Sequence, residues 1–169
     1  MLKTIFALVL CLGIARHAAA DDTLVKFKGG IGVIPVSSGQ GQAATATVVN
    51  RNIVRTVQPP GQIWTIADLR ATVRNDGRIS VRGKGLLLAG GNGIGGNANQ
   101  KVFATLICEA AAPFTLHNTD TAGVALEPNG DFRIDDVLAP APDGCASPVL
   151  LIRNTGGAWF AAGIVDDND

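Results

Sequence analysis

From Gln62 to Arg74 the side chains alternate with a period of two. Ile63, Thr65, Ala67, Leu69, Ala71 and Val73 fall on one side, and Trp64, Ile66, Asp68, Arg70, Thr72 and Arg74 on the other. That period is the mark of a strand with one face on a core. Arg78 to Leu88 repeats it, with Ile79, Val81, Gly83, Gly85 and Leu87 against Arg78, Ser80, Arg82 and Lys84. Setting core face against core face requires Val73 opposite Ile79 and Ala71 opposite Val81, which leaves Asn75, Asp76 and Gly77 as a three-residue loop. A two-residue loop would put core against solvent. Such hairpins close on a left-handed residue, and Gly77 tolerates that backbone.

The same register argument applied to Val124–Ile134 sets Leu126 opposite Phe132 and Val124 opposite Ile134. The loop is then Pro128, Asn129 and Gly130, with Gly130 left-handed. A third hairpin runs from Pro148–Arg153 through Asn154–Gly157 to Ala158–Val165, in a register the pattern leaves open. Further strands are expected at Thr23–Lys28, Ala43–Val49, Ile53–Val57 and Lys101–Cys108, with loops at Gly29–Gly41, Gly90–Gln100 and Ala139–Ala146 and a frayed tail at Asp166–Asp169. Helical periodicity is nearly absent. The pattern therefore predicts an all-β, single-domain antiparallel β-sandwich, with a β-barrel as the alternative.

Composition narrows the class. The chain has 169 residues, 47% of them hydrophobic and 17% charged, with 14 basic against 14 acidic side chains, the size of one domain and too apolar for a disordered polyampholyte. The 21 Gly and 8 Pro follow no G-X-Y period and read as turn punctuation. Balanced charge argues against general affinity for nucleic acid or an anionic membrane, and the lack of about twenty consecutive uncharged apolar residues argues against membrane insertion.

Residues 1–20 read as an export signal: Lys3, an apolar run Ile5–Ala15, and Ala18, Ala19 and Ala20 before cleavage, leaving a β domain of residues 21–169. Cys11 sits inside the apolar run, not behind a small residue at its end, so lipidation is not expected. Loss of Lys3 and Arg16 leaves 12 basic and 14 acidic residues, formal net charge −2. An exported chain with Cys108 and Cys145 remaining favours one disulfide between them, since the spacing is neither C-x-x-C nor zinc-like and His117 is the one histidine left. The expected location is secreted or periplasmic; medium, surface and periplasm are not distinguished.

Few chemistries fit. Gly91, Gly93 and Gly96 satisfy G-x-G-x-x-G, but the strand-like Lys101–Cys108 follows where a dinucleotide site needs a helix, so no cofactor is expected. No G-x-S-x-G elbow is present. A small secreted hydrolase would have to use His117, with Asp120 nearby, or a carboxylate pair drawn from Glu109, Glu127, Asp131, Asp135 and Asp136. Asp135 with Asp136, or Asp166, Asp167 and Asp169, could touch calcium, but no EF-hand spacing supports a metal site. The sequence expectation is a protein without catalytic or metal-binding residues.

The nonrandom surface feature is basic. The outward face of the first hairpin collects Arg70, Arg74, Arg78, Arg82 and Lys84, with Asp68 as the one acid and Trp64 at the far end. Like charges opposite one another, as Arg70 and Arg82 would be, are mildly destabilising. The functional reading is a site for an anionic polysaccharide or envelope component gripped by arginine forks; the plain reading is a solvated charged face that protects the sheet. Trp64 with Ile66 fits the core equally well, as does Trp159 beside Phe160. A third possibility is a subunit whose partner covers an exposed sheet, with oligomeric state open.

Gly30–Ala44 (GIGVIPVSSGQGQAA), Leu87–Leu106 (LLAGGNGIGGNANQKVFATL) and Pro148–Ile164 resemble the opening strand, the Gly-rich loop with its following strand, and the closing hairpin of the chordin-type (CHRD) β-sandwich domain. The resemblance implies an exported β-sandwich with a binding function. Gly85, Leu86 and Leu87 stand where that family carries His-x-His, so no metal role follows from it.

Overall fold

The computed structural model of the protein describes residues 22–40 and 48–167. The expected leader, most of the strand expected at Ala43–Val49, and the last two residues of the tail lie outside them. Within them the protein is all-β and antiparallel, without a helix.

Nine strands make one sheet: β1 (Thr23–Gly32), β5 (Asp68–Arg74), β6 (Arg78–Lys84), β8 (Lys101–Ile107), β9 (His117–Asn118), β10 (Val124–Ala125), β11 (Phe132–Val137), β12 (Val149–Asn154) and β13 (Trp159–Val165). Their order is β10-β8-β12-β13-β1-β5-β6-β11, with β9 also on β8. Two small ladders complete the fold, β2 (Val36–Gln40) with β3 (Val48–Arg51) and β4 (Trp64–Thr65) with β7 (Leu87–Leu88). The sheet begins at β10 and ends at β11, which are neighbours in the chain, so it coils into a nearly closed barrel. Of the two expected packings of antiparallel strands, the barrel describes this closure.

The first hairpin takes the expected register, with Val73 opposite Ile79 and Ala71 opposite Val81, and Gly77 at φ 83°. Leu69, Val73 and Val81 are fully buried beneath it. The alternation changes phase before β5, however. Trp64 and Ile66 are buried while Ile63 and Thr65 face solvent. Ala67 breaks the run, its N–H bonding Lys84 O, so one period does not carry through from Gln62. Trp64 is therefore core, stacked on Phe160 with ring centroids 4.0 Å apart.

The second turn forms with Gly130 at φ 80°, and Glu127 N–H donates to Asp131 O at 2.9 Å. Its arms do not continue as a ladder, because β10 pairs with β8 and β11 with β6. The third hairpin pairs Leu151 with Ala162 and Ile152 with Ala161, and a bulge precedes the pairing of Arg153 with Trp159.

Two further expectations change. The described part of the loop expected at Gly29–Gly41 is largely strand: β1 continues to Gly32, held between β5 and β13 at Phe27 and pairing on with β13 past a bulge between Phe27 and Gly30, and β2 takes Val36–Gln40; Gly41 lies outside the described residues. The glycines of β1 serve close passage of the strand, since a Cβ on Gly30 would meet Leu69 at 2.9 Å. Ile53–Val57 is a tight turn, not a strand, closed by Val54 N–H to Val57 O at 3.0 Å and the reverse bond at 2.8 Å, with Arg55 and Thr56 at positive φ. The disulfide joins Cys108, just beyond β8, to Cys145 ahead of β12. No helix of the described residues is long and apolar enough to cross a membrane.

Candidate functional site

All five cations expected on the first hairpin are exposed. Asp76 organises its loop, accepting the Arg78 N–H at 3.0 Å and the Arg78 guanidinium at 2.6 Å. Those bonds, the backbone one first, hold the Asp76 carboxyl below its ordinary range. Arg74 lies 3.8 Å from Asp22 and Arg70 3.4 Å from Asp68. Arg82 and Lys84 have no ion pair with any described residue. Charge on this face is thus concentrated toward the Arg70–Arg82 end, where the two arginines sit directly opposite each other.

Long-range pairing extends that pair on both sides. Lys28 of β1 stands opposite Arg70, and Arg133 of β11 opposite Arg82. Cross-strand partners share a face, so Lys28, Arg70, Arg82 and Arg133 form one row across four neighbouring strands. Strands lie about 4.8 Å apart, which makes the row roughly 14 Å long. Lys28 is exposed and without an ion pair among the described residues. Arg133 is held by Asp135, whose carboxyl also accepts the Ser80 hydroxyl at 2.7 Å. The Arg133 guanidinium, then Ser80, push the Asp135 carboxyl below its usual range, and Asp135 in turn raises Arg133.

The next row, toward the hairpin loop, is Lys26, Thr72, Ser80 and Asp135. An open depression of about 290 Å³ is lined by residues of both rows, the long Lys26, Lys28, Arg70 and Arg82 and the short hydroxyl side chains of Thr72 and Ser80, together with Asp166. Short side chains between long ones make the hollow.

Sequence reasoning found the hairpin half of the row and missed Lys28 and Arg133. Both carried a local signal, since Lys28 follows the apolar Phe27 and Arg133 lies between Phe132 and Ile134. Only the pairing of β1 and β11 around the hairpin puts them in line.

The hydrolase candidates are differently placed. His117 is 6% exposed, and its Nδ1–H donates to Pro140 O at 2.7 Å. No side chain among the described residues hydrogen-bonds that ring. Asp120 is exposed, its backbone N–H on Asp136 Oδ2 at 2.7 Å and its Oδ1 accepting from Ala122. Asp131 accepts the Gly85 N–H at 3.0 Å. Hydrogen bonds from Thr115 keep the Glu109 carboxyl below its ordinary range. These acids act as backbone anchors. The stretch Gly90–Gly96 folds back on Leu88 and leads into β8, a strand, where a dinucleotide site would have a helix. Among the described residues no three His, Cys, Asp or Glu side chains gather as a metal site. No family model matches the chain, and no curated protein or solved structure is significantly similar to it.

Proposed function

We propose that the protein is an exported, non-catalytic binding module that contacts anionic polymers of the cell envelope or its surroundings through the outer face of β1, β5, β6 and β11. The observation that carries this reading is the line of Lys28, Arg70, Arg82 and Arg133, because like charges set directly opposite one another cost stability and two of the four have no ion pair among the described residues. A merely solvating face gains nothing from that placement; alternating signs would solvate as well and pair better. The disulfide is compatible with an oxidising compartment outside the cytoplasm. The resemblance to the chordin-type domain points the same way, and the engagement of His117 with Pro140 favours structure over catalysis for the one histidine of residues 21–169.

The test is salt-dependent retention on a heparin-like resin. Protein of residues 21–169 is expected to elute well above the salt that releases a neutral control, and Arg70→Ser with Arg82→Ser to elute near that control, since exposed charges act through a field that salt screens within about 10 Å. Unchanged elution of the double variant refutes the assignment of the face.

A further inference from the structure

Resting on the polyanion reading, we infer that the row Lys28–Arg70–Arg82–Arg133 is the contact line for a single linear, carboxylate-bearing polysaccharide lying across the strands. The direction follows from the charges on either side. One row away from the hairpin loop, Asp68 stands opposite Lys84. One row toward it, Lys26 and Asp135 stand at the two ends with the neutral Thr72 and Ser80 between them. Farther on, Arg74 and Arg78 are matched with Asp22 and Asp76. Each flanking row thus sets one acid against one cation, while the row from Lys28 to Arg133 carries a cation on every strand.

The chemistry of the ligand follows from the spacing. One cation per strand recurs about every 4.8 Å, close to the advance of one sugar along a 1,4-linked pyranose chain. A polymer with one carboxylate on each sugar keeps every charge within reach of a long lysine or arginine side chain. The two central positions are both arginine, whose planar forks take a carboxylate by two parallel hydrogen bonds. In the next row Thr72 and Ser80 line the same depression, and their hydroxyls can meet sugar hydroxyls. A duplex nucleic acid presents charge over a broad cylinder and would call for a wide basic patch, which the acids flanking the row interrupt.

Titration calorimetry with galacturonic acid and its 1,4-linked dimer, tetramer and hexamer tests the inference at low and moderate salt. Affinity is expected to climb with each sugar to the tetramer and then level off. Lys28→Ser, Arg70→Ser and Arg82→Ser should each weaken the tetramer about tenfold, while Arg74→Ser and Arg78→Ser change it by less than about twofold. Arg82→Lys keeps the charge and loses the fork, so it should fall between the original and Arg82→Ser. All these side chains are exposed, and circular dichroism of each variant verifies folding. Equal losses at Arg74, Arg78, Arg70 and Arg82, or affinity still rising steeply past the tetramer, overturn the row while leaving a diffuse basic face. Inorganic phosphate or sulfate binding as tightly as the tetramer overturns the linear ligand in favour of a one-anion pocket. Tighter binding of duplex DNA than of the tetramer overturns the ligand class. If the original protein is not retained on any anionic resin, the proposed function itself fails, an outcome separate from the others.

Discussion

At Gly83 one missing atom decides whether β11 can lie against β6. Gly83 pairs with Phe132, and a Cβ built there would come within 2.0 Å of Cε1 and 2.2 Å of Cζ of the Phe132 ring. The ring lies against the glycine backbone and is 6% exposed. An alanine must push the ring or part the strands, an overpacking that costs about 1–3 kcal/mol. Gly83→Ala is therefore expected to lower the urea midpoint by that stability with an unchanged slope, and an unchanged midpoint would show that the ring moves freely. Gly83 was legible as a core-face position, because Val81 and Gly83 follow the period begun at Ile79. Its reason was not legible, since Phe132 comes from another hairpin. Trp64 shows the opposite limit: its place on the polar side of an unbroken alternation left it open between an exposed aromatic and a core residue, and it is core. The break at Ala67, a turn in the path of the backbone, leaves no mark on hydrophobicity.

Turns and strands differ in how far local pattern determines them. The corners at Gly77 and Gly130 followed from register and left-handed backbone, both properties of a few adjacent residues. What the arms do afterwards is set by the rest of the sheet, so Val124–Ala125 pairs with β8 although its turn forms as expected. The turn at Val54–Val57 was hidden because β-branched residues usually favour strands; here Arg55 decides, its guanidinium donating to Ile107 O at 3.0 Å and to Ser147 O and Oγ at 2.6 Å each. That clasp ties the turn to the ends of β8 and β12, where Cys108 and Cys145 are bonded across a separation of 37 residues. Closing a loop of that length in the unfolded chain is worth about 4 kcal/mol in the chain-entropy model. The Cys108→Ala, Cys145→Ala double variant should lose about that much in chemical unfolding yet keep the native far-ultraviolet spectrum, because Arg55 and the β8–β12 ladder still hold the region. Loss of the folded spectrum under native conditions would instead make the bond a condition of folding.

For the molecule as a whole, the decisive pairing joins the two ends of the described chain. β1 lies between β5 and β13, so the strand nearest the start of the fold seats one nearest its end. Such contacts lie far apart in sequence and carry no local signature, which is why β5, β6, β8, β12 and β13 were readable one by one while the barrel stood only as an alternative, and why the row from Lys28 to Arg133 emerges only in the assembled sheet. The same arrangement makes β1 structurally decisive. Without it, β5 and β13 would become bare edges, with unpaired backbone groups facing solvent or another chain, and Leu69, Ala71 and Phe160 would lose the cover of Phe27 and Val33. A chain beginning at Ile34 is accordingly expected to lose cooperative unfolding and self-associate, while a synthetic peptide spanning Thr23–Val33 should restore a sharp transition by adding as a strand between the two edges. If the shortened chain melts cooperatively at the original temperature without the peptide, β1 is an accessory to a sheet that closes by other means. Because Lys28 arrives with that peptide, restoration by the Lys28→Ser version should return the fold but leave polyuronate binding about tenfold weaker, separating the strand's part in closing the sheet from its part in the basic row.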